Sequence, residues 1–175
     1  MNLGLYICFI FILYCFIGWL IEGLYSLATT KKFKKDGFLK TPLKPMYGIA
    51  MTILIIFHEV FDIYGVPMLF LLVLIPTTVE YISGYMLDHK FNKKYWDYSK
   101  IKYNIHGYAC LKFSLYWIIL TYIGLYLFQP MIRMAYISFE NILSKIAILL
   151  FIIFICDVYI TLKSYAKSNV KLSWT

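Results

Sequence analysis

Charge is scarce in this chain. Asp, Glu, Lys and Arg make up only 15% of its 175 residues, against 62% apolar residues. A soluble domain of this size needs more polar side chains than that to cover its surface, so a water-soluble globule is excluded. Several chemical motifs are also missing. There is no Gly-x-x-x-x-Gly-Lys-Ser/Thr loop, no dinucleotide fingerprint and no His-Glu-x-x-His pair, so the usual route to ATP hydrolysis is closed and no cofactor is expected. His58, His89 and His106 are scattered with no ligand set around them, and no metal site is expected. Cys8, Cys15, Cys110 and Cys156 lack metal-type spacing and read as apolar residues of helices or helix ends.

What is abundant is long apolar runs. Five blocks stand out, roughly Leu3–Ala28, Met46–Phe61, Val66–Leu87, Tyr108–Phe128 and Ile142–Leu162. A helix needs about 20 residues to cross the hydrocarbon core of a bilayer. Every backbone amide there must be satisfied internally, so such blocks must be helical. The predicted fold is all-α, a polytopic membrane helical bundle of about five transmembrane helices in a single membrane domain over 1–175. The second block is short and carries His58 and Glu59 near its end, which predicts little tilt or a partly re-entrant segment. The first block is not expected to be a cleaved signal peptide: it is too long, no positive charge precedes it, and Trp19 and Glu22 occupy the place of a small-residue cleavage site. Gln129-Pro130 is expected to end the fourth helix.

The net charge is +8. On a soluble protein this would point to nucleic acid, but the loops account for it, and no nucleic-acid partner is expected. Lys31, Lys32, Lys34, Lys35, Lys40 and Lys44 lie between blocks one and two. Lys90, Lys93, Lys94, Lys100 and Lys102 lie between blocks three and four, and Lys163, Lys167 and Lys171 are in the tail. The other two connections are nearly bare, with only Arg133, and Lys145 just inside block five. Lysine-rich loops stay cytoplasmic, which predicts an N-terminus outside, a C-terminus inside and a cytoplasmic tail over 163–175. Most of the lysines and tyrosines then form an interfacial belt that meets anionic lipid headgroups.

A helical hairpin reads as duplicated. Glu22 is followed ten residues later by Lys32-Phe33-Lys34-Lys35, and Glu80 at the same offset by Lys90-Phe91-Asn92-Lys93-Lys94. Asp36 and Asp97 come next, and the loops close on Tyr47-Gly48-Ile49-Ala50 and His106-Gly107-Tyr108-Ala109. Repeat 1 would span about 3–61 and repeat 2 about 66–128, a parallel pair with its axis along the membrane normal. The fifth helix, about 142–162, would lie outside the duplication.

Glu22, Glu80 and Asp157 carry the chemical interest. Each sits inside an apolar block, where a charge costs roughly 2.5–3.5 kcal/mol on insertion scales. Small and hydroxyl residues share their faces: Cys15, Gly18 and Ser26 near Glu22; Thr77, Ser83 and Gly84 near Glu80; Thr161 and Ser164 after Asp157. Two roles fit. The acids can form one polar site for a substrate or ion, in which case mutual repulsion requires at least one to hold a proton. Alternatively they are interhelical glue, with Glu22 or Glu80 protonated or paired with Lys112. Trp96-Asp97-Tyr98-Ser99 and Asn104 in the second basic loop would stand at the cytoplasmic mouth, and Asp97 and Asn104 fit an interfacial belt less well than their neighbours.

An ordered set of words carries a resemblance. Phe16-Ile17-Gly18-Trp19-Leu20-Ile21-Glu22, Gly37-Phe38-Leu39, Pro45-Met46-Tyr47-Gly48, Glu80-Tyr81, Gly84, Trp96-Asp97-Tyr98-Ser99, Asn104, Gly107, Cys110-Leu111, Ser114-Leu115 and Trp117 together resemble the bacterial ABC-transporter type IV family, also called CmpB-like. The chain departs from it at Tyr108, where the family tends to have arginine, at Tyr95-Trp96, where it tends to have two tryptophans, and at Thr41-Pro42, where it tends to have Gly-Pro. The resemblance implies a multi-pass component of a transporter in the bacterial cytoplasmic membrane, with a separate cytoplasmic ATPase. Five helices are few for a complete pathway, so a homo-oligomer or partner chain is expected. In that reading Glu22, Glu80, Asp157, Asp97, Asn104 and Trp96 form the substrate-binding set. A structural or regulatory membrane protein and a membrane-embedded lipid-modifying enzyme are the alternatives.

Overall fold

The structure is a computed structural model that describes residues 2–33 and 37–172, with side chains as far as Tyr165. Lys34, Lys35 and Asp36 of the first basic run, and the side chains of Lys167 and Lys171, lie outside the described residues. Its elements are α1 (Leu3–Thr30), α2 (Pro45–Glu59), α3 (Gly65–Phe91), a short antiparallel pair β1 (Asn104–Ile105) and β2 (Ala109–Cys110), α4 (Leu111–Ile123), α5 (Gln129–Ser138) and α6 (Glu140–Leu172). A π-helical turn, Gly124–Phe128, joins α4 to α5. The described chain is thus an all-α bundle, and four of its rods are long and apolar enough to cross a membrane: Leu3–Thr30, Gly65–Phe91, Leu111–Ser138 and Glu140–Tyr165. The second block forms only the 15-residue α2.

Burial is inverted relative to a soluble protein. Glu80, Ser114, Thr121, Gln129, Asp157 and Thr161 are buried, while Phe70, Leu74, Ile119, Leu149 and Ile152 are exposed. This is the arrangement a bilayer demands, because lipid tails solvate Leu and Ile but not hydroxyls or carboxylates.

The fourth helix corrects an expectation. Gln129-Pro130 does not end it, and the rod continues to Ser138. Pro130 lacks an N–H and would clash with the carbonyl four residues earlier in a regular α-helix. The π turn widens the helix just ahead of it, and the Gln129 amide bonds to the Gly124 carbonyl five residues back. The helix therefore absorbs the proline instead of breaking.

The chain divides into two compact units, residues 1–48 with 141–175, and residues 49–140, and α2 runs from the first into the second. In the first unit the segment 37–44 is packed rather than solvated. Leu39 is buried with Ile12 of α1 and Phe154 of α6, and Phe11, Phe38, Leu43, Phe151 and Val158 surround them. The Lys44 amide donates to the Cys15 carbonyl at 2.9 Å. Cys15 lies about 22 Å before the end of α1 at 1.5 Å per residue, so the loop folds back along half the helix, and α2 starts deep. That is why α2 is short.

The second unit repeats the manoeuvre. Thr77 of α3 donates to Ser114 in the first turn of α4 at 3.0 Å, which sets the start of α4 about 21 Å before the end of α3. Residues 92–110 fold back along that stretch. The closing words of the two loops differ in conformation, however. Tyr47-Gly48 lies within α2, whereas His106 and Gly107 form the β1–β2 turn with φ of 52° and 77°.

Candidate functional site: carboxylates that hold the folded-back loops

Glu22 lies on α1 near two glycines, Gly18 one turn before it and Gly23 directly after it. A Cβ on Gly18 would meet the Tyr47 ring, and one on Gly23 would meet the Phe33 ring. These glycines let the incoming chain approach the helix closely. Lys44, at the end of the folded-back segment, places its Nζ 2.6 Å from Glu22 Oε2. The ion pair of Glu22 is therefore made with Lys44, while Lys112 lies over the Phe113 ring. Lys44 counts as a loop lysine by sequence, yet its backbone is bonded at the level of Cys15.

Asp157 of α6 grips the same segment. Its Oδ2 accepts the Thr41 amide at 2.7 Å and the Thr41 hydroxyl at 2.6 Å, and its Oδ1 accepts the Lys40 amide at 3.3 Å and the Thr161 hydroxyl at 3.2 Å. Non-helical backbone within apolar surroundings needs such partners, because its N–H groups have none in a helix ladder. Ser164 is exposed and takes no part.

In the second unit, Glu80 is buried on α3 and its Oε1 accepts the Tyr98 hydroxyl at 2.9 Å. The loop that carries Tyr98 is built by the other residues the sequence marks out. Trp96 donates its indole N–H to the Tyr108 carbonyl at 2.9 Å, and its ring lies against Gly84, where a Cβ would come within 3.2 Å of it. Asp97 Oδ1 accepts the Ser99 amide at 2.9 Å. That hydrogen bond, helped by the Ser99 hydroxyl and by Lys94 and Lys100, holds the Asp97 carboxyl below its ordinary range. Asn104 donates to the Ile101 carbonyl at 2.7 Å and accepts the Gly107 amide at 3.0 Å. Gly107 sits at positive φ, with Asp97 Oδ1 3.0 Å from where a Cβ would be, so glycine is required there.

Sequence reasoning missed Tyr98 and Tyr108 as individual contacts. Tyr108, the position where the family tends to carry arginine, donates its hydroxyl to Asp88 Oδ2 at 2.7 Å, and Lys94 Nζ lies 3.7 Å from the same oxygen. The hydrogen bond to Asp88 pushes the Tyr108 phenol up to about 12. The departure from the family pattern was the available signal, because either residue can donate to a carboxylate.

The arrangement thus joins Glu22 and Asp157 through one loop, and Glu80, Trp96, Asp97 and Asn104 through the other. Each acid has its own donors. Among the described residues no group of three or more His, Cys, Asp or Glu side chains is placed to hold a metal ion. No curated protein and no solved structure matches the chain. A family model does match, over residues 9–162, and it covers α1 through the body of α6 with both folded-back loops. By that match the chain belongs to the family described as "Putative ABC-transporter type IV".

Proposed function

We propose that this chain is the membrane-spanning part of a transporter, and that its energy is supplied by a separate ATPase. The observation that carries the proposal is the pair of loops folded back along α1 and α3 and held there by carboxylates within apolar helices. Non-helical backbone at membrane depth is a feature of proteins that move solutes, and it is stable only when buried in protein or lining a wet cavity. The family, described as transporter-related, supports the same reading. Glu22, Glu80 and Asp157 supply the polar groups of the route. Trp96, Asp97 and Asn104 position the loop that brings Tyr98 to Glu80. A push on either loop reaches a carboxylate inside a span, which is the mechanical link a separate ATPase needs.

In this proposal the hairpins form a parallel duplication. The lysine-rich loops face the cytoplasm, where they meet anionic headgroups and the ATPase, and copies of the chain assemble to complete the pathway. Tyr103 at the tip of the second loop is 79% exposed, between Lys100 and Lys102. A photocrosslinker at position 103 in native membranes should recover an ATPase subunit. Recovery of lipid alone would count against the ABC reading.

One observation favours a second reading. Glu22, Glu80 and Asp157 each have a partner from this chain, as structural glue would. Under that reading the loops are fixed and the acids never change partners.

A further inference from the structure

At the end of α3 opposite Glu80, the second unit carries a polar cluster that the proposed function does not use. Gln129 is buried, and its amide donates to Glu59 Oε1 at 3.0 Å. Arg133 forms an ion pair with the other oxygen of Glu59, with Nε 3.7 Å from Oε2. The chain holds sixteen lysines and this one arginine. Its side chain is half exposed.

The order of burial matters. The buried Gln129 donates to Glu59, and Glu59 pairs with Arg133 at Nε, so the half-exposed guanidinium is tethered on that side and its terminal N–H groups can serve a further oxygen acceptor. A planar fork held in this way matches two oxygens of a phosphate, which an ammonium cannot do. A π turn immediately precedes Gln129, and such turns recur at functional sites.

The depth also matters. Arg133 lies in the last turns of the apolar rod Leu111–Ser138, where a span meets the headgroup layer. Val60, Phe61 and Tyr64 on the α2–α3 connection, Val66 in the first turn of α3 and Met134 on α5 are exposed at this end, and His58 lies edge-on to Tyr64 and Tyr126 at 4.6 and 5.3 Å. Apolar and aromatic side chains around one fixed arginine suit a lipid better than a free ion. Glu59 and Asp62 lie in the same cluster, so bulk positive charge does not do the selecting here. Recognition has to come from the geometry of the fork.

We propose that Arg133, oriented by Glu59 and Gln129, is a binding site for the phosphate of a membrane phospholipid headgroup. The site uses none of the residues assigned to transport and stands or falls independently of that reading.

Native mass spectrometry of the full chain in mild detergent, supplemented with phosphatidylethanolamine, tests it. The wild type should retain one phospholipid that Arg133→Gln loses, with affinity lower by about tenfold or more. Arg133→Lys keeps the charge and the fold, and should still lose most of that binding. A Lys100→Ser/Lys102→Ser variant, which weakens lipid contact at the other end, should keep it. Millimolar inorganic phosphate should not displace the lipid. Equal retention by Arg133→Lys, or loss on replacing Lys100 and Lys102, would overturn the assignment. Displacement by inorganic phosphate would overturn the lipid as ligand and identify a free-phosphate site instead.

Discussion

Asp157 receives both the backbone amide and the hydroxyl of Thr41, a residue 116 positions earlier, on a single carboxylate oxygen. This contact ties the last helix to a loop between the first two. Asp157→Ala would leave the Lys40 and Thr41 amides without an acceptor in apolar surroundings, at a cost of about 1–3 kcal/mol. Thr41→Val removes only the hydroxyl bond and should cost about 1 kcal/mol. Thermal unfolding in detergent, followed by circular dichroism, should rank the two in that order. The double variant should be little worse than Asp157→Ala, because the two residues share one interaction.

The Glu22–Lys44 pair is part-buried, with Lys44 13% and Glu22 28% exposed, and should show a muted form of the asymmetry of a buried ion pair. Lys44→Met leaves Glu22 charged among apolar neighbours and should destabilise by about 1–3 kcal/mol. Adding Glu22→Gln should recover much of that loss, because no unpaired charge then remains. If the double variant is the worse of the two, Glu22 has other work to do.

Glu80→Gln separates the two functional readings. Glutamine still accepts the Tyr98 hydroxyl, so the melting midpoint should move by less than that of Tyr98→Phe, which removes the donor and costs about 1 kcal/mol. If Glu80 serves a transport step, Glu80→Gln should abolish that activity in a complementation assay while the protein stays folded. Full complementation by a Glu22→Gln/Glu80→Gln double variant would support the glue reading.

Two groups on the second loop give opposite pH signs. The Tyr108 phenol is raised from about 10 to about 12 by its bond to Asp88. The folded state then keeps that proton longer than the unfolded state, so this contribution is complete below pH 10 and disappears as pH rises towards 12. Ultraviolet titration of tyrosinate should show a late-ionising phenol that is absent in Tyr108→Phe. Asp97 is lowered below its usual 3.8. Its contribution is complete above that value and disappears as pH falls through the lower folded value. Hydrogen exchange at the Ser99 amide should accelerate there and be largely pH-independent in Asp97→Asn, apart from the intrinsic rate.

Gly48 is a packing requirement. A Cβ there would strike Cys15 Sγ and come within 2.7 Å of the Phe11 carbonyl, which is backbone and cannot turn aside. Gly48→Ala should therefore destabilise by about 1–3 kcal/mol. Gly37→Ala would meet only the flexible end of the Lys44 side chain, at 3.2 Å, and should be milder. Comparing the melting midpoints of the two variants tests this.

The bundle and its apolar rods were legible from the chain alone. Hydrophobic run length against bilayer thickness is a local property, and both sit in consecutive residues. The presence of Glu22, Glu80 and Asp157 within those runs was legible for the same reason, as was the family, through ordered words such as Trp96-Asp97-Tyr98-Ser99. The partners of those acids were not. Hydropathy counts residues along the chain and assigns every lysine outside a run to the water side, so Lys44 read as a headgroup lysine although its amide bonds to Cys15 in the middle of α1. Whether Gln129-Pro130 ends a helix or is absorbed by a π turn depends on how neighbouring turns widen, which composition does not encode. Only folding brings Thr41 to Asp157, Tyr98 to Glu80 and Gln129 to Glu59. Each is a contact between distant positions, made because buried carboxylates and non-helical amides have no water to turn to and must find each other.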